Sequence, residues 1–432
     1  MQVKILKWSG TAVDGELAEF LHRPAVDPKA DETARRVLAD IRAEGDAAVE
    51  RYTREFNGAD LKAAEFAVPA ETRRAAGDAV SPEFKRAVAE ILARVTRFAK
   101  AGMRQNWTIP APKGGMLGEQ FTPIRRVGVY VPGGAAPLAS TVLMTVPLAK
   151  AAGVPEIVVC TPSDREGRVN AHLLHAVEAA GATEVYRVGG IQAIGAMAYG
   201  TATIRKVDKI VGPGGPYVTA AKRLTYGTVD LDMVAGPSEI AVLADETADV
   251  RSVAADLLSQ LEHGSGHEKA LLVTSSERVA KAVAAEMERA CAAAPRRELI
   301  ERAAEKGALI VLADNPDRGM DLINAFAPEH FELAVTEAAR WLPRVKNAGA
   351  IFVGRWTPES AGDFAAGPSH VLPTGGTAAS FSGLTADSFR KRSSIVSFTR
   401  ADLQDALPLI EMMGQVEGLG EHARAGRVRF EA

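Results

Sequence analysis

From residue 126 onward the chain alternates short apolar runs with helical segments, and this pattern constrains the fold more than any other feature. Runs at 127–131, 157–160, 185–188 and 209–211 read as strands. Helical segments beginning near Ser140, Val169, Gln192 and Pro216 lie between them. Strands that alternate with helices are joined by crossovers, which produces a parallel sheet with helices on both faces. A second series follows at 240–243, 270–273, 309–312, 331–335 and 350–353. The expected fold class is α/β, with two tandem Rossmann-like units built on parallel sheets. Their boundary falls near 232–238, where Ala235-Gly236-Pro237-Ser238 suits a crossing.

The flanks read differently. Residues 1 to about 110 look mostly helical. Residues 28–54 carry apolar positions at helical spacing, with Asp31 as the expected N-cap. Ser81-Pro82 opens a second long helix, with proline at the first helical position. After about residue 380 the chain again looks helical, and this short tail is expected to pack on the body or on a partner subunit.

With 432 residues the chain can bury more than one core. A net charge of −3 removes the electrostatic case for nucleic acid. Cys160 and Cys291 are far apart, which argues for a reducing compartment and against a cysteine-based zinc site. No run reaches the roughly 18 apolar residues of a membrane span, and residues 1–8 lack the apolar core of a signal peptide. The expectation is a cytoplasmic protein with neither a membrane nor a nucleic-acid partner.

Glycine turns follow three strands, at Pro132-Gly133-Gly134, Gly189-Gly190 and Gly212-Pro213-Gly214-Gly215. Such turns present backbone N–H groups to anions and so fit a nucleotide, but tight α/β turns also need glycine for geometry alone. None is G-x-G-x-x-G.

The chemistry-bearing residues cluster in five places. Gln260 and His263 share one face at the end of a helix with Gly264 beyond it, where they can meet a metal or remain solvated. The alternative His263/His267 pair has glycines inside its turn and is not H-E-x-x-H. Ala327-Pro328-Glu329-His330 sets a carboxyl beside an imidazole, which suits two proton-transfer roles or a solvated turn. Residues 359–376 form a glycine-rich loop carrying Asp363, a candidate ligand or an Asx-turn residue, and His370. Glu417 and His422 lie in the tail, and Ser238-Glu239 at the crossing.

Taken together, V-G-V-Y-V-P-G-G, V-G-G-I-Q-A-I, G-P-G, A-G-P-S-E, D-L-L-S-Q-L-E-H-G, A-P-E-H, E-S-A-G-D-F, S-H-V-L-P-T and E-G-L-G-E-H resemble the histidinol dehydrogenase family from about residue 30 to the C-terminus. The resemblance implies oxidation of L-histidinol through L-histidinal to L-histidine with one Zn2+ per subunit and two NAD+. It implies Gln260, His263, Asp363 and His422 as zinc ligands, with Glu329 and His330 as catalytic groups. Ser238, His370 and Glu417 would complete a substrate pocket that the ligands and His330 also line. Tyr130 and Gln192 match the family's NAD contacts. Gly215 stands where the family usually has an Asn that contacts NAD. The resemblance further implies a homodimer with shared active sites.

The organisation expected on this basis is an N-terminal extension at 1–30. A first α/β domain takes 31–126 and 237–380, a Rossmann-like NAD-associated domain takes 127–236, and a helical dimerisation tail takes 381–432. Two other readings use the same residues. One is a related zinc- and NAD-dependent dehydrogenase of another polar alcohol, such as a sulfonated diol. The other is a zinc hydrolase built on His263, Glu262 and Glu329.

Overall fold

The computed structural model describes residues 1–9, 12–23, 27–133, 138–234 and 236–431. Gly134 and Ala235, which belong to two of the motifs above, lie outside the described residues. Strands run in chain order β1 (Lys4–Trp8), β2 (Trp107–Pro110), β3 (Met116–Pro123), β4 (Arg126–Tyr130), β5 (Glu156–Cys160), β6 (Glu184–Tyr186) and β7 (Lys209–Val211). They continue as β8 (Asp230–Leu231), β9 (Glu239–Ala244), β10 (Lys269–Thr274), β11 (Ala308–Ala313), β12 (His330–Ala334), β13 (Ala350–Val353) and β14 (Arg390–Ser397). Two compact units result, Met1–Gly102 with Arg125–Phe389, and Met103–Ile124 with Arg390–Ala432.

The larger unit holds two parallel sheets, as the strand–helix alternation requires. One has six strands in the order β1-β11-β10-β9-β12-β13, and the other five in the order β6-β5-β4-β7-β8. In the six-stranded sheet Ile240, Val242, Leu272 and Ile310 enter one core, while Ala241, Leu243, Leu271 and Val311 enter another. That split is the two-residue period of a strand expressed in a sheet covered on both faces. Each fully buried Leu or Ile contributes about 1.5–3 kcal/mol relative to exposure. The five-stranded sheet shares its core with helices Pro28–Glu44 and Gly190–Tyr199, through Leu38, Ile41, Ile194 and Met197.

Local chemistry sets the helix starts. Pro28 occupies the first helical position, and Asp27 accepts hydrogen bonds from the N–H groups of Lys29 (2.9 Å) and Ala30 (3.1 Å). Asp27 is therefore the cap, and Asp31, the expected one, instead pairs with Arg35 and Arg223. The helix Pro82–Gly102 begins as expected, with the N–H of Phe84 bonded to Ser81 Oγ at 3.2 Å. Three strands fall where helix was expected. β1 forms because β11 offers it a free parallel edge, which no local signal announces. β2 and β14 flank β3 in an antiparallel sheet of the smaller unit. The sequence of β14, Arg390-Lys391-Arg392-Ser393-Ser394-Ile395-Val396-Ser397, is mostly exposed and lacks the alternation that marks a half-buried strand.

In the smaller unit, helix Arg400–Val416 is anchored by Asp402, whose carboxylate accepts the N–H groups of Lys113 (2.6 Å), Gly115 (2.8 Å) and Thr399 (2.9 Å). No helix among the described residues is long and apolar enough to cross a membrane.

Candidate active site

His330 opens β12 and lies in register with Ile240 of β9. The site therefore forms at the leading edge of the six-stranded sheet, not at the carboxyl ends where open α/β sheets commonly take ligands. Glu239, the first residue of β9, uses its peptide on both sides. Its N–H donates to Glu329 Oε2 at 2.9 Å, and its carbonyl oxygen lies 3.0 Å from His330 Nδ1. A carbonyl only accepts, so Nδ1 carries the proton and Nε2 carries the lone pair. The side chain of Glu239 is held by Arg23 at 2.7 Å, and Arg23 also donates to the carbonyl of Phe326.

His330 Nε2 is buried without a hydrogen-bond partner among the described residues, 3.8 Å from Glu359 Oε1 and 3.7 Å from Asp363 Oδ1. One ligand atom from each of these three residues fits within 4.8 Å of the others, close enough to hold a metal ion. Glu359 and Asp363 share a face of the short helix Glu359–Phe364, which replaces part of the expected loop. Ser259 donates to Glu359 Oε2 at 2.9 Å. The carboxyls of Asp256 and Glu332 are also buried, and each modulates the other's titration alongside Glu359.

Burial dominates the electrostatics. It pushes the Glu329 carboxyl well above the usual range, with Asp363, Glu239 and Glu359 adding repulsion and the Glu239 N–H opposing. Burial raises Glu359 and Glu332 likewise. It lowers His330 to about 4, so the imidazole is neutral near pH 7. His370 is lowered for the same reason and stands 3.9 Å from Asp363 Oδ1. Its loop is tied down by Ser369, which donates to the carbonyl of Met144 at 2.8 Å.

Helix Val250–Leu261 carries Gln260 on its last turn, and both amide atoms of that buried side chain have no partner among the described residues. An orphaned buried amide costs about 1–3 kcal/mol, so it marks a place where a ligand belongs. His263 lies just past the helix end with an exposed ring, and Gly264 takes the left-handed backbone there with φ 91°. His267 is exposed. Ser238 is half-buried immediately before β9. Glu417 and His422 belong to the smaller unit, where both are exposed.

The glycine turns stand at the carboxyl ends of the five-stranded sheet. The chain leaves β4 for β5 and β6, then returns to β7 on the other side of β4, which makes a topological switch point. Gly133 and Gly189 are required by packing, since a Cβ would come within 2.2 and 2.5 Å of Pro162. Gly215 is different, because a Cβ there meets nothing within 4 Å. Tyr130 ends β4 and is buried, its hydroxyl oxygen accepting the N–H of Gly190 at 3.0 Å. Gln192 donates to Asn57 Oδ1 at 2.8 Å and leaves its own buried Oε1 unpartnered among the described residues.

No local sequence pattern marks Glu359, Arg23, Asp256 or Glu332 as part of the site. The four-residue spacing of Glu359 and Asp363 was the only available signal, and it requires a helix that a glycine-rich stretch does not advertise.

Fold and site together describe a nucleotide-fold enzyme with a buried acid–base centre. The family model for histidinol dehydrogenase matches residues 22–430, and the chain belongs to that family. It is thereby an oxidoreductase of histidine biosynthesis. It is similar to the histidinol dehydrogenases of Symbiobacterium thermophilum (45% identity, 95% of this chain and 94% of that one) and Moorella thermoacetica (48%, 92% and 93%). The crystal structure of histidinol dehydrogenase from Elizabethkingia anophelis superposes with a TM-score of 0.93 at 36% identity, covering 100% of this chain and 98% of that one.

Proposed function

We propose that the chain oxidises L-histidinol through L-histidinal to L-histidine, using two NAD+ and one zinc ion per subunit. The observation that carries this reading is the geometry of His330, with Nδ1 committed to the Glu239 carbonyl and Nε2 buried without a hydrogen-bond partner among the described residues. Nε2 takes the alcohol proton in the first oxidation. Glu329 takes the proton of the water that adds to the aldehyde, and the second oxidation yields the acid. Burial is the main force holding Glu329 protonated, and the Glu239 N–H on its carboxylate and a cation beside Asp363 would both favour the ionised form that this task needs.

The donors fit zinc. Gln260, His263 and Asp363 supply nitrogen and oxygen atoms without a thiolate, and the orphaned amide of Gln260 supports a ligand role. His422 completes the set in this reading, and Asp363 also belongs to the close grouping with Glu359 and His330. Zinc, when bound, supplies a Lewis acid that orients the substrate's imidazole and amino nitrogens. Ser238, His370 and Glu417 bind the substrate around it. Tyr130 and Gln192 shape the turns that take up NAD+, beside the open position at Gly215. NAD+ accepts the hydride in each oxidation.

The partner is a second copy of the chain. Leu409, Met412, Met413 and Val416 are 52–71% exposed on one face of helix Arg400–Val416, and such a stripe is too apolar for a solvated surface. In this reading the tail, with Glu417 and His422, serves the partner's site. Two buried free cysteines support a cytoplasmic location.

The test is NADH formation with L-histidinol, with and without chelator, alongside histidine quantification. Two NADH per histidine, lost on chelation and restored by zinc, is the expected result. A folded, zinc-loaded dimer that forms no NADH would retain the metal site and overturn the substrate, leaving other polar alcohols to be tried.

A further inference from the structure

Gly212 is clamped from both sides by a buried ion pair. Its N–H donates to Asp232 Oδ2 at 2.7 Å, and its carbonyl accepts from Lys222 Nζ at 2.8 Å. Lys222 Nζ lies 2.5 Å from Asp232 Oδ1, which also accepts the N–H of Met233 at 2.6 Å. The side chains are 3% and 0% exposed. Gly212 itself has φ 115°, and a Cβ there would stand 2.1 Å from the carbonyl oxygen of Tyr130.

Stability alone explains this pair poorly. Burying two charges costs several kcal/mol each, and an apolar pair of the same shape is commonly as stable. What the pair achieves is geometric. Lys222 comes from helix Pro216–Thr225 and Asp232 from the end of β8, and both direct bonds at one peptide of the turn after β7. That turn flanks the switch point between β4 and β7 and leads to Gly215, where the space is open.

We propose that Lys222 and Asp232 are positioning residues for the dinucleotide. They fix the turn at 212–215 in the one shape that receives NAD+. The inference rests on the reading that NAD+ binds at this switch point. Neither side chain touches the reacting atoms, so their effect falls on cofactor binding and not on the chemical step.

The experiment is titration of zinc-loaded Asp232→Asn and Lys222→Met proteins with NADH, followed by its fluorescence. Each variant is expected to bind NADH about tenfold more weakly, because small misplacements of a binding loop are costly. The KM for NAD+ should rise by the same factor, with kcat, zinc content and the KM for L-histidinol unchanged. A folded variant that binds NADH within about twofold of the wild type overturns the inference. If both variants fail to fold, hydrogen exchange on the wild type decides. Protection of the amides of Gly212, Gly214 and Gly215 by NADH is the expected outcome, and unchanged exchange there overturns the inference. A wild type that binds no NADH at all overturns the cofactor reading itself.

Discussion

His330 Nδ1 lies 3.0 Å from the backbone oxygen of Glu239, and this contact settles which ring nitrogen is free. The other face of the same residue, its N–H, holds Glu329 Oε2 at 2.9 Å. One peptide thus orients both proposed proton-transfer groups. His330→Ala should slow alcohol oxidation by about 10²–10⁴-fold. Glu329→Gln should slow conversion of supplied L-histidinal to L-histidine by a similar factor while sparing the first step. Single-turnover rates of the two half-reactions check this. An unimpaired second half-reaction in Glu329→Gln would remove the water-activating role.

Metal loading should be visible in both content and stability. Asp363→Ala and Gln260→Ala are expected to lower bound zinc below one per subunit, as is His422→Ala in the dimer. Elemental analysis of gel-filtered protein reads this directly, and full occupancy would remove that residue from the ligand set. Zinc at the proposed site would satisfy the Gln260 amide, which has no partner among the described residues, so chelation should also lower Tm. A ligand at 100 times its Kd stabilises by about 2.7 kcal/mol.

Gly215→Asn should be tolerated. The backbone there has φ −69° and ψ 179°, which any residue adopts, and a Cβ meets nothing within 4 Å. The position is also the N-cap of helix Pro216–Thr225, which lacks a side-chain cap. Asn in place of Gly should therefore raise stability by a few tenths of a kcal/mol. Thermal unfolding measures that change. Tighter NADH binding by the variant would show that the amide reaches the cofactor.

The Arg126 network should appear in acid unfolding. Arg126 is buried and donates to Glu184 at 2.6 and 2.7 Å and to Glu156 at 2.5 Å. Its hydrogen bonds lower Glu184 to about 2, against burial that acts the other way. A depressed carboxyl adds stability that is complete above its unfolded value and is lost as pH falls through the folded value. For Glu184 the loss runs from about pH 4.5 down to about 2. After discounting for its partial exposure the contribution is about 1–2 kcal/mol. Glu184→Gln should flatten the pH dependence of denaturant midpoints in that window. An unchanged slope would show that the network adds nothing at Glu184.

Nine strands, from β4 to β7 and from β9 to β13, were legible in the sequence, because a buried parallel strand must be an apolar run between helices. The parallel sheets followed from their alternation with helices. The same logic failed at β1 and β14. Their partners, β11 and β3, are distant in sequence, and their own residues are largely exposed. β8 has only two residues, too few for any periodicity.

The chemistry divides along the same line. Residue identity made Glu329, His330, Asp363, His370 and Gln260 candidates beside blander readings, and the family motifs around them supplied their expected roles. Only the folded chain decided that Glu239 brackets the Glu329–His330 pair, that Glu359 joins Asp363 beside His330, and that Lys222 and Asp232 hold Gly212. These are contacts between groups up to 91 residues apart in the chain, fixed by strand register and helix packing. Local sequence encodes which side chains are available, while the distances and burial that set their protonation arise from long-range packing.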